Sequence, residues 1–375
     1  MKYQEIETEL ELIELLQNFP LISNYAFQNV DFLKHESFLI GKKFEDCIFL
    51  GCQLPNSIGG ILPKDNLVFP MIDIPFNPYL GNLYTRETLL GEYIEGKPES
   101  YENTLDKRIY NHFLKEGKIA IDIKETLSRR LHDHAITDAL YDFIENYDEK
   151  KIVAIMGGHG LSRSDKDFVE IALISKRLTE SGYLMISGGG PGAMEATHVG
   201  AWFAGKDDSL MLKAIDKLAE APIYNDFLWQ DKAFQVIREN PDPIYESIGI
   251  PTWLYGHEPP TPFATKIAKY FANSVREDGL LTIAKGGVIF APGSAGTIQE
   301  IFQEATQNHY LSCDYASPMV FYNTNYWSKE YPIYPLLESL SKEGKYRNLI
   351  LSKYDNQNDI VNEIFKFTNS FNNAL

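Results

Sequence analysis

Cysteine is scarce in this sequence of 375 residues. Its three cysteines, Cys47, Cys52 and Cys313, include no Cys-x-x-Cys pair. An odd and sparse set of this kind indicates neither a disulfide framework nor a zinc ribbon. We therefore predict that the protein binds no metal, and that it resides in a reducing compartment, the cytoplasm.

Long apolar runs and an excess of positive charge are also missing. No stretch approaches the 18 uninterrupted apolar residues of a membrane-spanning helix. The N-terminal sequence MKYQEIETELELIELL is acidic and lacks the basic start and apolar core of a secretory signal. Lys and Arg number 35 against 52 Asp and Glu, which gives a net charge of −17. This charge repels nucleic acid polymers and anionic membranes, so we expect neither as a partner. A phosphate ligand would have to be held by local geometry.

The overall composition is typical of a soluble globular protein, with 44% hydrophobic and 23% charged residues. At about 150 residues per domain, the length allows two to three domains. We predict an irregular or β-rich region over residues 1–100, a helical connector over 101–149 and an α/β domain over 150–375. His132 and His134 fall in the connector, and we expect them to be solvated because residues two apart face different sides of a helix.

Residues 27–54 show an unusual period. Apolar side chains recur at five-residue spacings, from Phe27 to Phe32 and again through Phe44, Phe49 and Leu54. The period resembles a short pentapeptide-repeat coil, in which every fifth residue points into a stacked β-solenoid. A few short antiparallel strands fit the same residues equally well. Before this stretch, helical spacing predicts an amphipathic helix over residues 5–17.

The pattern changes at residue 150. The apolar run Ile152 to Met156 ends in glycines, and YLMISGGGPGAMEA and GGVIFAPGSAGTIQE repeat the order of strand, glycine-rich turn and helix. This alternation predicts a Rossmann-like, doubly wound and mostly parallel sheet with helices on both faces. Between the second and third units we predict a helical and loop insertion over 206–248, a strand over 249–255 and a helix over 261–278 that begins at Thr261.

The glycine-rich turns should meet at the carboxyl edge of this sheet, where backbone amides and helix N-termini hold anions without cationic side chains. None of them matches the P-loop or the dinucleotide-binding spacing. The candidate ligand contacts in the first turn are Gly157, Gly158, His159 and Arg163. Those in the second turn are Gly188, Gly189, Gly190, Gly192, Met194 and Glu195. Those in the third turn are Gly293, Ser294, Gly296 and Thr297, with Glu300 in the first turn of the next helix. His257, after the predicted strand, is a further candidate.

Two of these motifs carry a resemblance to a known family. GGGPGAMEA, followed about a hundred residues later by PGSAGTIQE, resembles the paired signatures GGGxxGxM and PGGxGTxxE of the LOG (Lonely Guy) family, also labelled lysine decarboxylase-like. The resemblance covers about residues 150–330. It implies hydrolysis of the N-glycosidic bond of a nucleoside 5′-monophosphate to free base and ribose 5-phosphate, without a cofactor, by a homodimer or larger homo-oligomer.

The resemblance also implies roles for individual residues. Gly189, Gly190 and Gly192 would line the nucleotide. Gly293, Gly296 and Thr297 would hold the 5′-phosphate, and Glu300 matches the catalytic acid. The sequence departs from the family at Ser294, which replaces a glycine, and at Gln299, which replaces a glutamate. The family's Arg-Lys pair aligns best with Thr265-Lys266, so the positive charge would come from Lys266, Arg276 or Arg163 instead.

These departures leave a second hypothesis open, a non-catalytic nucleotide sensor on the same fold. Turnover separates the two, because a hydrolase releases free base whereas a sensor binds the nucleotide unchanged. Decarboxylation of lysine is a poor alternative, since it needs a Schiff-base lysine for pyridoxal phosphate and the sequence marks none. The base preference is not readable from motif spacing.

Overall fold

The computed structural model describes residues 3–56, 62–256 and 258–372. The chain divides into two units, one of Met1–Leu83 with His112–Tyr141 and one of Tyr84–Asn111 with Asp142–Leu375. These boundaries differ from the predicted ranges 1–100, 101–149 and 150–375. They differ because Asp106 of the predicted connector accepts hydrogen bonds from Trp253 and Lys269, which belong to the second unit.

The described residues of the first unit form six three- to four-residue strands that pair in parallel. A four-stranded sheet has the order β1-β3-β5-β6, and β2 pairs with β4. The strands are β1 Gln4–Ile6, β2 Leu21–Ser23, β3 Tyr25–Gln28, β4 Lys43–Glu45, β5 Ile48–Leu50 and β6 Leu67–Phe69. Ala26 pairs with Ile48 and Ile22 with Phe44, both 22 residues apart in the chain. Short strands stacked in parallel at this interval have the geometry of coils, and the antiparallel alternative is wrong.

The side chains that recur at five-residue spacing fill the interior of this unit. The ring of Phe27 stacks on that of Phe49 with centroids 5.0 Å apart, and the edge of Phe32 meets Phe27 at 5.1 Å. These buried rings supply a core that three-residue strands could not form by hydrogen bonding alone. Helix α1, Glu9–Asn18, starts later than the predicted residue 5 because Thr8 and Glu11 form a capping box there.

The range 101–149 of the predicted connector contains two helices, α3 Leu105–Glu116 and α4 Ile123–Ile144, and the short helix α2 Arg86–Leu90 precedes it. The prediction that both histidines are solvated is wrong for His132, which is fully buried against the ring of Phe76, whereas His134 is exposed. Burial lowers the pKa of His132, so its imidazole is held in the neutral form. None of the described helices combines the length and the apolarity needed to cross a bilayer.

The second unit is a Rossmann-like, doubly wound domain, as predicted. Seven parallel strands have the order β10-β9-β8-β7-β11-β12-β13. They are β7 Ile152–Met156, β8 Leu184–Ser187, β9 Ser247–Gly249, β10 Lys266–Ile267, β11 Gly287–Phe290, β12 Pro318–Tyr322 and β13 Ile350–Tyr354. The chain builds outward from β7 through β8 to β10 and then returns to the other side of β7 with β11. The order therefore reverses between β7 and β11, which is where such sheets bind ligands.

Helices flank this sheet. They are α5 Lys166–Glu180, α6 Ala193–Trp202, α7 Asp208–Leu218, α8 Trp229–Glu239, α9 Asn273–Ile283, α10 Ala295–Tyr310, α11 Ile333–Lys342 and α12 Gln357–Asn372. Helices α7 and α8 confirm the helical insertion over 206–248. Phe168 and Ile171 of α5 pack with Val153 and Met185 of the sheet in one fully buried cluster. The central strands are buried on both faces, which explains their continuous apolar runs.

Two predicted elements between β8 and β11 are wrong. The strand predicted over 249–255 ends at Gly249, and a short 3₁₀ turn occupies Trp253–Tyr255. The helix predicted over 261–278 is instead strand β10 followed by α9. The backbone N–H groups of Ile267, Ala268 and Tyr270 donate to the carbonyls of Tyr84, Gly249 and Pro251, respectively. In a helix these N–H groups would bond within the segment itself, whereas here they bond to other parts of the chain.

Candidate functional site

A cleft of about 460 Å³ opens at the carboxyl edge of the sheet, over the point where the strand order reverses. Loops after β7, β8, β9 and β11 contribute to it, together with the facing sides of α9 and α10. Its volume is within the range of small-molecule sites. The lining residues are Gly157, Gly158, His159, Gly188, Gly190, Met194, Pro251, Thr252, Tyr255, Glu258, Arg276, Glu277, Ser294, Ala295, Gly296, Thr297, Gln299 and Glu300.

The glycines of the second turn leave room for neighbouring groups. A β-carbon on Gly188 would lie 2.2 Å from Nη2 of Arg276 and 2.6 Å from the sulfur of Met194. Gly192 has a φ of 69°, and a β-carbon there would lie 2.4 Å from the carbonyl oxygen of Gly158. Gly188 therefore lets Arg276 reach the cleft, whereas Gly192 joins two loops and does not line the cleft itself.

The first turn of α10 offers free backbone donors to the cleft. Ser294 is the N-cap residue, and its side chain makes no capping hydrogen bond. The amides at the start of an α-helix have no partner within the helix, and the helix dipole places partial positive charge at the same end. Ser294, Gly296 and Thr297 all line the cleft at this point. The arrangement is suited to an anion and needs no cationic side chain.

The loop that carries this helix start is fixed from both sides. The amide of Gly158 donates to the carbonyl of Pro292 at 3.0 Å, and the hydroxyl of Tyr326 donates to the carbonyl of Gly293 at 2.8 Å. Gly293 is absent from the cleft lining, and a β-carbon there would lie 2.2 Å from Oγ1 of Thr297. The first and third glycine motifs are thus joined into one rigid edge.

Arg276 and Glu300 face each other across the cleft, one from α9 and one from α10. Nη1 of Arg276 lies 3.8 Å from Oε1 of Glu300, and Nε donates to the carbonyl of Ile250 at 2.6 Å. The side chains are 9% and 13% exposed. Burial raises the pKa of Glu300 to about 7, with Arg276 acting to lower it and the charge of Glu277 to raise it. The carboxyl group can therefore gain or lose a proton near neutral pH.

Glu277 is a site residue that the sequence patterns did not single out. It follows Arg276 on α9, lines the cleft and accepts a hydrogen bond from Nε2 of Gln299 at 2.7 Å. Asn273 donates to its other carboxylate oxygen, also at 2.7 Å. The one sequence signal for Glu277 was Gln299, which stands where the resemblance places a glutamate. An amide at this position can donate a hydrogen bond to a carboxylate from another segment of the chain.

His159 and Glu258 approach each other at the mouth of the cleft. Nδ1 of His159 lies 3.5 Å from Oε1 of Glu258, and the imidazole meets the ring of Tyr224 edge-on at 5.7 Å. Tyr255 lines the same opening with about half of its surface exposed. His257, predicted at this point, lies outside the described residues. A flat aromatic or heterocyclic group fits an opening of this composition.

The prediction that Lys266 supplies the positive charge beside Glu300 is wrong. Lys266 lies on β10, over the ring of Phe143 at 5.7 Å, and lines a separate depression of about 280 Å³ with Arg86 and Trp202. Its backbone is held in β10 by pairing with Ile248, so it cannot occupy the helix position that the motif alignment assigned to it.

Arg163 and Glu195 do not line the cleft either, contrary to the prediction. They form a fully buried pair in which Nε of Arg163 donates to Oε2 of Glu195 at 2.8 Å. Nη1 of Arg163 also donates to the carbonyls of Ala221 and Trp229, at 3.3 and 2.9 Å. Gly189 packs on the backbone of Gly249 and is also absent from the lining. These contacts attach the segment between α7 and α8 to the loop after β7 and to the start of α6.

Glu304 lies one turn after Glu300 on α10 and gives a prediction for stability. Its buried Oε1 accepts a hydrogen bond from the hydroxyl of Ser317 at 2.6 Å, and burial raises its pKa from 4.5 to about 7. The folded state therefore holds this proton more tightly than the unfolded state. The associated stabilisation is complete below pH 4.5 and disappears as the pH rises to about 7.

Glu304→Gln, which needs no such proton, should remove this dependence. We expect the variant to gain about 1–3 kcal/mol relative to the natural chain between pH 4.5 and 8. Urea unfolding at a series of pH values would measure the difference. A constant difference across that range would contradict the prediction.

Comparison with known proteins adds little to this geometry. No family model matches the chain, and no curated protein sequence matches it. Among solved structures, the molybdenum cofactor binding protein from the phototrophic bacterium Rippkaea orientalis aligns with 58% of this chain and 96% of its own, at 12% sequence identity and a TM-score of 0.36. This likeness is too slight to bear on the ligand or the activity.

Proposed function

We propose that the protein hydrolyses the N-glycosidic bond of a nucleoside 5′-monophosphate to free base and ribose 5-phosphate. The observation that carries the proposal is the pair Arg276 and Glu300, which face one cleft beside the uncapped start of α10. The motif resemblance supports the same reaction. A cytoplasmic location and a homo-oligomeric assembly remain part of the proposal and rest on the sequence.

The 5′-phosphate would bind at the first turn of α10. Free amides, the partial positive charge of the helix start and the hydroxyl of Thr297 are the donors available there. Such a site needs no bulk positive charge, which is compatible with a chain of net charge −17. The ribose would then lie between the phosphate site and Glu300, with the base toward Tyr255 and His159.

Cleavage of the bond between C1′ and the base nitrogen builds positive charge on the sugar and negative charge on the base. A carboxyl group that titrates near pH 7 can exchange a proton with the base or with the attacking water. The guanidinium of Arg276, fixed by the carbonyl of Ile250, carries a positive charge 3.8 Å from that carboxyl group. The burial of both side chains strengthens these effects.

The proposal is tested by incubating the protein with purine and pyrimidine nucleoside 5′-monophosphates. We expect chromatography to detect free base and ribose 5-phosphate in equal amounts from at least one of them. The matching nucleosides, which lack the phosphate, should react at least about 100-fold more slowly, because roughly 3 kcal/mol of charge-assisted hydrogen bonding is lost. No release from any monophosphate would refute the proposal, and tight binding without turnover would favour the nucleotide sensor.

A further inference from the structure

The cleft contains a second carboxylate, Glu277, whose surroundings are opposite to those of Glu300. Both oxygens of Glu277 accept hydrogen bonds, from Nδ2 of Asn273 and Nε2 of Gln299. Amide donors to both oxygens hold this carboxylate in place at the cleft wall. Gln299 precedes Glu300 on α10, so this helix supplies both the donor that holds Glu277 and the carboxyl group that faces Arg276.

Glu300 has no such donors. Within the described part of the chain, its carboxyl oxygens accept no hydrogen bond, and Arg276 stands 3.8 Å away, beyond hydrogen-bonding distance. One cleft thus contains a carboxylate that is hydrogen-bonded and another that is desolvated. Two carboxyl groups in such different environments can take different roles in one reaction.

We propose that Glu277 is a second catalytic carboxylate of this site, which faces the sugar cation while Glu300 holds and transfers the proton. This inference rests on the proposed nucleotide hydrolysis. It adds a role for a residue outside the glycine motifs, and it gives Gln299 the function of holding Glu277 in position.

The division of roles balances the reaction. The bond from C1′ to the base nitrogen breaks with its electron pair passing to the base, and the carboxyl proton of Glu300 moves to the base. Water then adds to C1′ through its oxygen and gives one proton to the carboxylate of Glu300, which restores the acid. The products are free base and ribose 5-phosphate. Glu277 exchanges no proton and offsets the positive charge that the sugar carries between the two steps.

Few other charged groups of the described residues lie around Glu300. Arg276 and Glu277 face it from α9, and His159 and Glu258 line the cleft from the loops after β7 and β9. On α10 itself, Glu304 accepts a hydrogen bond from Ser317 and does not line the cleft. The charge of Glu277 contributes to the raised pKa of Glu300, so its removal should lower that pKa.

The test is Glu277→Gln, after base release by the natural chain has been established with the nucleotide panel. We expect kcat to fall by about 100-fold, since one charged group acting on the transition state is lost. The fall in kcat/KM at alkaline pH, which reports deprotonation of Glu300, should move to lower pH. If Glu277 only linked α9 to α10, with its charge away from Glu300, this pH profile would stay unchanged.

The pair Gln303 and Asp278 provides a matched control on the same two helices. Gln303 donates to Oδ1 of Asp278 at 3.1 Å, which links α10 to α9 as Gln299 and Glu277 do, but outside the cleft. Asp278→Asn should keep kcat within about twofold, the scale of exposed polar contacts. Gln299→Leu, which leaves Glu277 in place without its donor, should lower kcat less than Glu277→Gln does.

The outcomes distinguish this inference from the proposed function. An inactive natural chain would refute the proposed function. An active natural chain, with Glu277→Gln matching Asp278→Asn in kcat and in pH profile, would overturn the inference and leave the proposed function intact. If Glu277→Gln fails to fold, Gln299→Leu decides the question by kcat: a fall beyond that of Asp278→Asn supports the inference, and a match to Asp278→Asn overturns it.

Discussion

Glu300→Gln is expected to lower kcat for base release by roughly 10²- to 10⁴-fold, the range for loss of a positioned acid–base group. Glutamine keeps the size of the side chain but has no exchangeable carboxyl proton. Binding of the monophosphate should change little, because the phosphate donors at the first turn of α10 are untouched. Single-turnover assays would measure the chemical step, and equilibrium titration with the nucleotide would measure its Kd.

Glu304→Gln is the matched control for this experiment. Glu304 is on the same helix, is equally a buried carboxyl group with a pKa raised to about 7, and does not line the cleft. Its replacement should therefore leave turnover at neutral pH unchanged. Equal losses in the two variants would mean that activity depends on the packing of α10, and no loss in Glu300→Gln would exclude this residue as the acid.

Glu195→Ala is expected to lower the free energy of unfolding by about 3–5 kcal/mol. The variant leaves the guanidinium of Arg163 buried with no carboxylate, over the ring of Trp229 at 4.4 Å. Removal of one partner from a buried ion pair costs the desolvation of the charge that remains. Urea or thermal unfolding would measure the loss.

Glu220→Ala provides the comparison for Glu195. It removes a carboxylate from an ion pair with Lys232 on the same insertion, but the side chain of Glu220 is more than half exposed. Solvent screens such a pair, so its loss should leave the unfolding midpoint unchanged within error. If Glu195 instead contacted the ligand, Glu195→Ala would keep its stability and lose only nucleotide affinity.

The doubly wound sheet was predictable because its signal is local. Apolar runs such as Ile152 to Met156 are followed at once by glycine-rich turns and helices, and each such unit is contiguous in the chain. Parallel strands align their carboxyl ends, so the three glycine motifs and Glu300 were expected at one edge and are found there. The buried rings at five-residue spacing in the first unit, Phe27 and Phe32 among them, were readable in the same way.

The sequence named Arg276 as one of three candidate cations but did not choose among them, because the choice depends on contacts between distant segments. Arg276 comes close to Glu300 only because residues 265–272 follow an extended course whose backbone bonds to Tyr84 and Gly249, which places α9 beside α10. In this segment, apolar residues at helical spacing also result when an extended chain is buried on several sides. This ambiguity led to the prediction of a helix and so to the wrong placement of Lys266.

The sequence by itself determined the fold class, the position of the glycine turns and the carboxyl group of Glu300, since each follows from the order of residues within one strand–turn–helix unit. Only the tertiary structure decided which charges meet. It paired Arg163 with Glu195 away from the cleft and brought Arg276 and Glu277 into it. The physical reason is that an ion pair is selected by distance and burial, and neither quantity is encoded by spacing along the chain.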